Sequence, residues 1–471
     1  MEKHFFHFCY KKQYRPDNFP SCADVFLEHI HNSHNSKYCS YQPNNSSHNC
    51  SFLRLIKFAL SLQIYKKHKK IKNMKQIDRR GTYSVKVDAL KKYFGKENLL
   101  PLWVADMDFK TPECVRKALE GVLEGGVYGY NFIPDNYFPT IASWLKQKQK
   151  WEVKQDWLAF IPGIVKGIGY AINFFTREGD GIIVQPPVYP PFINVPKGNE
   201  RNLVFNPLIR VEDENAKYPY RMDFDNLREI GKSGECSMLI LSNPHNPGGI
   251  AWDRETLKEL ADICYEYGIL VISDEIHADM PLFGTEHIPF ASVSKEAARN
   301  SITFGAPSKT FNMAGIVSSF AVVPNEELRE PFYKWMQVNE LSSPTIFATL
   351  GAIAAYTDGD DWRMRMLDYI EGNVVFVEDF CKEHFNGLVK PVRPLSSFLI
   401  WLDCRGLCTK LFGSADQQRL VDLFINRAGL ALNDGAAFGP GGDGYMRLNV
   451  GCGKEVLEEA LNNLKSAIDE Y

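Results

Sequence analysis

Short, wholly apolar runs recur along this chain, each followed by a polar or glycine-rich turn and then by a longer stretch with helical spacing. Residues 182–184, 238–241, 269–272 and 302–304 are such runs, the kind that forms strands buried on both faces. Between the second and third, Asp253 caps RETLKELADICYEYG, a predicted helix that closes at Gly268. Strands alternating with helices of this length predict a parallel sheet with right-handed crossovers. Upstream, Thr111-Pro112 predicts a helix start with Thr111 as N-cap and Pro112 at the first helical position, and Gly125-Gly126 ends that helix. Another helix is expected over 136–150. Beyond Asp360 the pattern changes. A long helix over 362–385, a strand over 398–402, a helix over 416–428 and the stretch 445–449 predict a smaller unit.

Composition adds a boundary. Of 471 residues, 45% are hydrophobic and 24% charged, with a net charge of −3, which describes an ordinary globular protein and gives no sign of a nucleic-acid partner. The charge is uneven: residues 1–73 hold 12 Lys and Arg against 4 Asp and Glu, and the rest of the chain holds 42 against 53. The same segment carries seven of the 11 His and four of the 11 Cys, without the close Cys spacing of a zinc site, so no metal is expected. Its apolar stretch 52–65 is broken by Arg54 and Lys57, and it begins too late for a secretory signal. The run Lys66-Lys67-His68-Lys69-Lys70 reads as a solvated tail. Residues 1–73 are therefore expected to be a basic, disordered or spuriously included leader, with Met74 opening the folded part. The scattered cysteines beyond it read as reduced, buried thiols of a cytoplasmic protein with no membrane partner.

Chemistry gathers at the strand ends. The run 269–272 stops at Ser273, Asp274 and Glu275, on the carboxyl edge where open α/β sheets bind ligands. The run 302–304 ends in Gly305 and then Ser308-Lys309. An acid and an amine at neighbouring strand ends suit pyridoxal phosphate (PLP), whose ring nitrogen takes an Asp partner and whose aldehyde takes a Lys. Gly163 leads a turn into the apolar helix IVKGIGYAINFF, which leaves the amides of Ile164 and Val165 for an anion.

Taken in order, the glycine turn at 163, Tyr189, Asn246 in NPHNPGG, Asp274 in SDEIH, Lys309 in SKTFN and Arg447 resemble the class I/II aminotransferase-like family of PLP enzymes, fold type I. The resemblance spans residues 74–471. It implies a three-layer αβα large domain over 115–360 with a mostly parallel seven-stranded sheet. A smaller α+β domain over 361–471 and an N-terminal segment, 74–114, joining that small domain complete the implied architecture. It also implies roles. Lys309 bonds the cofactor and moves the substrate's Cα proton, Asp274 holds the ring nitrogen, Asn246 donates to the phenolic oxygen, and Tyr189 stacks on the ring. Ile164, Val165 and Ser308 take the phosphate, and Arg447 clamps the substrate carboxylate. Tyr130 reaches the phosphate of a neighbouring subunit, so a homodimer is implied.

Departures point to a branch. His277 stands where ordinary aminotransferases commonly carry Tyr, Val317 where they carry an Arg for the phosphate, and Ala306 where they often have Ser. WVADMDF, VYGYNF, SDEIHADM, SKTFNMAG, ELSSPTIFA and RLNVGC resemble the cystathionine β-lyase branch of the maltose-regulon-modulator type. The implied activity is α,β-elimination of L-cystathionine or related cysteine S-conjugates to a thiol, pyruvate and ammonia, with His277 facing the cofactor's phenolic oxygen. Transamination shares the early steps, so an aminotransferase acting on an amino acid is the alternative. A PLP-binding regulatory protein is the third reading; residues 1–73 show no helix-turn-helix pattern, which counts against a fused DNA-binding regulator.

Overall fold

In the computed structural model the four apolar runs are neighbouring strands of one seven-stranded sheet. The structure describes residues 74–213 and 216–471; the leader expected over 1–73 lies outside the described residues. In chain order the sheet and its key helices are β1 (Leu158–Ile161), α1 (Ile164–Phe175), β2 (Gly181–Val184), β3 (Asn202–Phe205) and β4 (Cys236–Ser242), then α2 (Arg254–Glu266), β5 (Leu270–Asp274), β6 (Ser301–Gly305) and β7 (Ser319–Val322). The spatial order is β1-β7-β6-β5-β4-β2-β3. Pairing is parallel from β3 through to β6, and only β7 runs antiparallel, to both β6 and β1.

The apolar runs are explained by cover on both faces. Ile182, Val184, Met238, Ile240 and Ile272 pack toward Ile168 and Ile172 of α1. Their neighbours Ile183, Leu239, Leu241 and Val271 pack toward Leu257, Leu260 and Ile263 of α2. Residues one apart on a strand point to opposite faces, so a sheet between two helical layers needs both apolar.

A second sheet follows, from α3 (Asp360–His384), β8 (Lys390–Val392), β9 (Leu399–Asp403), β10 (Asn433–Asp434), β11 (Tyr445–Asn449) and α4 (Lys454–Asp469). Its order is β8-β9-β11-β10, all antiparallel. Ile370, Val374 and Val377 of α3 share a core with Leu457, Leu461 and Leu464 of α4, and Leu102, Met107 and Phe109 of the N-terminal segment join it.

Two local expectations are corrected. Pro112 is itself the non-helical N-cap of the helix Glu113–Gly125, because its backbone is extended at ψ of 143°, and the Thr111 hydroxyl donates to the Asn312 carbonyl at 2.8 Å. The helix expected over 416–428 is α-helical over Gln417–Asp422 and then widens into a π turn at Leu423–Arg427, where Leu423 and Phe424 are both wholly buried. Among the described residues no helix is long and apolar enough to cross a membrane.

Candidate active site

The carboxyl ends of β4, β5 and β6 open onto a cavity of about 190 Å³. Lys309, Asp274, Asn246, Tyr189, His277, Ser308, Ile164 and Val165 all line it. The sheet explains the convergence. Asp274 is the last residue of β5, paired with Ser242 on one side and Phe304 on the other, which fixes it at the rim. Lys309 sits in the turn after β6, closed by Phe311 N to Pro307 O and Met313 N to Ser308 O, each 2.9 Å. The antiparallel β7 begins at the same edge, so Val317, Ser318 and Ser319 also reach the cavity.

The α1 start faces the same space. Gly163 holds φ of +108°, a conformation that L side chains rarely adopt, and turns the chain sharply into the helix. The first intrahelical donor is Gly167, to the Gly163 carbonyl, which leaves the amides of Ile164 and Val165 for an anion.

Burial sets the charges. It pushes the Asp274 carboxyl up to about 7, against a 3.0 Å donation from the Ile276 amide and the attraction of Lys309. Burial pulls the Lys309 amine down to about 8, with Asp106 and Asp274 resisting and Arg447 adding to the fall. His277 is drawn down to about 3 by burial and by the nearby Lys309 and Arg447, so its imidazole is neutral at ordinary pH. Its Nδ1 is buried without a partner. Burial raises the Tyr189 phenol.

The two carboxylates of SDEIH have separate fates. Asp274 faces the cavity. Glu275 is used internally: it accepts from the Ser273 hydroxyl at 2.9 Å, the Phe290 amide at 2.8 Å and His287 Nε2 at 2.8 Å. Those bonds tie the following loop to the strand end that carries Asp274.

Arg447 reaches the site from β11. Its Nη1 donates to Asn246 Oδ1 at 3.0 Å, and its Nη2 donates to Asn433 Oδ1 at 2.7 Å and to the Trp103 carbonyl at 3.2 Å. The guanidinium lies 5.0 Å from the Phe438 ring centroid, a cation–π contact, and its Nε is buried without a partner. Tyr130 is not brought to this cavity. It stands on a loop, fully exposed, beside the exposed Val127, Tyr128 and Phe132.

Trp103, Ala105, Asn433, Phe438 and Ser318 belong to this neighbourhood and were not singled out from the sequence. Asn433 and Phe438 follow no spacing rule, and Trp103 and Ala105 act through backbone carbonyls, which no side-chain pattern reveals.

Residues 97–464 match the model of the aminotransferase class I and II family, and the chain belongs to that family. It is 38% identical over 394 residues to the cystathionine beta-lyase PatB of Bacillus subtilis (strain 168), covering 84% of this chain and 99% of PatB. To the protein MalY of Escherichia coli (strain K12) it is 30% identical over 396 residues, covering 84% of this chain and 98% of MalY. The structure of the PLP-bound C-S lyase from Staphylococcus hominis is similar with a TM-score of 0.76 and 30% identity, over 84% of this chain and 97% of that one.

Proposed function

We propose that this protein is a PLP-dependent carbon–sulfur β-lyase. It converts L-cystathionine or a related cysteine S-conjugate, with water, into a thiol, pyruvate and ammonia. One observation carries the reading: the Lys309 amine and the buried Asp274 carboxyl stand in one cavity of a chain that matches a cystathionine β-lyase over 84% of its length.

The residues fit the cofactor. A lysine amine drawn down to about 8 suits an aldehyde, a buried carboxyl suits a pyridinium nitrogen, and free helix amides with Ser308 suit a phosphate. The unpartnered Nδ1 of His277 leaves a polar group for the ring's oxygen side. PLP, when bound, supplies the aldehyde that captures the substrate amine and the ring that draws electrons from Cα.

The chain's own residues supply the rest. Arg447 holds the substrate carboxylate by charge-assisted hydrogen bonds, with Asn246 and Asn433 fixing its plane. Nζ of Lys309 takes the Cα proton, and the β-thiolate departs with the C–S electron pair. The same Nζ then carries the proton that the thiolate needs. Neutral His277 would face the cofactor without adding a charge.

We take 115–360 as the cofactor-binding body, with 361–471 and the segment 74–114 forming the smaller one. The exposed aromatic loop around Tyr130 supports a homodimer in which Tyr130 completes the partner's phosphate site. The described cysteines are all free, which supports a cytoplasmic protein. The protein mixed with PLP and L-cystathionine, with no keto acid present, tests the activity. Release of pyruvate together with free thiol supports the lyase. Product that forms only after a keto acceptor is added makes the protein an aminotransferase.

A further inference from the structure

Residues 103–109, WVADMDF, pass the cavity at Ala105 and touch both Lys309 and Arg447 through backbone oxygens. The Lys309 amine donates to the Ala105 carbonyl at 2.7 Å, and Arg447 donates to the Trp103 carbonyl at 3.2 Å. Such contacts are useful only if the strap itself is fixed, since a carbonyl on a loose loop orients nothing.

Two asparagines fix it. Asn312, three residues after Lys309, uses its whole side-chain amide on the strap. Its Oδ1 accepts from the Met107 amide at 2.9 Å, and its Nδ2 donates to the carbonyls of Met107 at 2.8 Å and Phe109 at 2.7 Å. Asn449, two residues after Arg447, works from the other side. Its Nδ2 donates to the carbonyls of Val104 at 2.5 Å and Asp106 at 2.8 Å, and its Oδ1 accepts from the Gly451 amide at 2.7 Å. Only an amide side chain offers one acceptor and two donors in this way; a carboxylate would set oxygen against carbonyl oxygen. Asn312 also holds φ of +53°, a left-handed conformation that Asn tolerates better than most residues. Ion pairs secure the flank: Arg79 to Asp106 at 2.8 Å and Lys86 to Asp108 at 2.8 Å.

We propose that Asn312 and Asn449 are positioning residues for the elimination, clamping the 103–109 strap so that the Ala105 carbonyl holds the Lys309 amine and the Trp103 carbonyl holds Arg447. The inference rests on the lyase reading for its chemistry and on the hydrogen bonds for its geometry. During turnover Lys309 is a free amine on a flexible four-carbon stem, with many conformations open to it. A hydrogen bond to Ala105 uses one N–H and leaves the lone pair for the Cα proton. Without the clamp, proton transfer slows while the cofactor remains bound.

The test uses the full chain and Asn312→Gly, which deletes the amide while tolerating the positive φ. In the holoenzyme kcat should fall about 10- to 100-fold, the cost of misplacing one catalytic group, with KM within about threefold because Asn246 and Asn433 still hold Arg447. The isotope effect with Cα-deuterated substrate should rise, because proton transfer becomes limiting; a merely structural loss would leave it unchanged. In cofactor-free protein, acetylation of Lys309 by acetic anhydride, mapped by mass spectrometry, should quicken several-fold at pH 8. Thr111→Val, which removes only the hydroxyl bonded to the Asn312 carbonyl, should shift all three readouts the same way by less, and it carries the test if Asn312→Gly fails to fold. Unchanged isotope effect and acetylation in the folded variants overturn the clamp. If the wild-type chain proves not to be a lyase, faster acetylation still upholds the clamp on Lys309, and unchanged acetylation still overturns it.

Discussion

Arg447 Nη1 donates to Asn246 Oδ1 at 3.0 Å, so the Asn246 amide is oriented with its nitrogen free for the cavity that it lines. The residue proposed to clamp the substrate's carboxylate and the one proposed to donate to the cofactor's phenol are therefore one linked unit. Replacing Arg447 by Lys keeps the positive charge and loses the planar fork. KM should rise about 10- to 100-fold, the worth of a charge-assisted hydrogen bond, while the cofactor stays bound. Steady-state kinetics beside a PLP absorbance spectrum checks this; an unaltered KM removes Arg447 from substrate binding.

Two histidines set an acid limit on stability in the cofactor-free protein. Burial pulls His277 down to about 3 and His245 down to about 4 from an ordinary 6.5. Below pH 6.5 the unfolded chain takes up protons that the folded one refuses, so stability falls as pH falls from 6.5 toward 4. Asp274, pushed up to about 7, acts in the opposite sense: its folded carboxyl is protonated first, so stability rises as pH falls through 7. His277→Gln removes one of the histidine contributions. Its urea midpoint should therefore drop less than that of the wild type between pH 7 and 5. Equal drops would show that His277 is not held neutral.

Much of the fold was legible because both faces of the large sheet are covered. Runs such as 238–241 had to be wholly apolar, and their ends had to be polar where the cavity opens. The site's side chains that sit next to a strand end, Asp274 and Lys309 above all, could be read in the same way. Asn433 and Phe438 could not, because their place depends on how β10 and the loop before β11 meet Arg447. The strap carbonyls were invisible for a different reason: the groups that act belong to the backbone, and only Asn312 and Asn449 mark them.

Lys86 is wholly buried and lies 2.8 Å from Asp108. Asp108→Asn leaves that ammonium without its near carboxylate and should cost about 3–5 kcal/mol. Lys86→Met, an apolar replacement of similar length, should cost less, because Asp108 retains Arg79 at 3.1 Å. Chemical denaturation of both variants measures the order, and a costlier Lys86→Met contradicts the pairing.

Tyr130 gives the proposed dimer a direct check. If each site takes Lys309 from one subunit and Tyr130 from the other, Lys309→Ala and Tyr130→Ala chains mixed and reassembled regain one intact site per hybrid. Activity should then exceed that of either variant alone by at least tenfold, read as pyruvate release. No recovery, with mixed dimers confirmed by native mass spectrometry, would place Tyr130 outside the partner's site.

Lys309 is proposed to drive repeated C–S cleavage in this cavity. The most direct measurement is pyruvate and thiol formed from L-cystathionine by the PLP-loaded protein, counted per active site with no keto acid present and with Lys309→Ala run alongside. Many equivalents of both products, in equal amounts, are expected from the wild type, and almost none from Lys309→Ala. Product that stops at one equivalent per site, or a Lys309→Ala chain as active as the wild type, would contradict it.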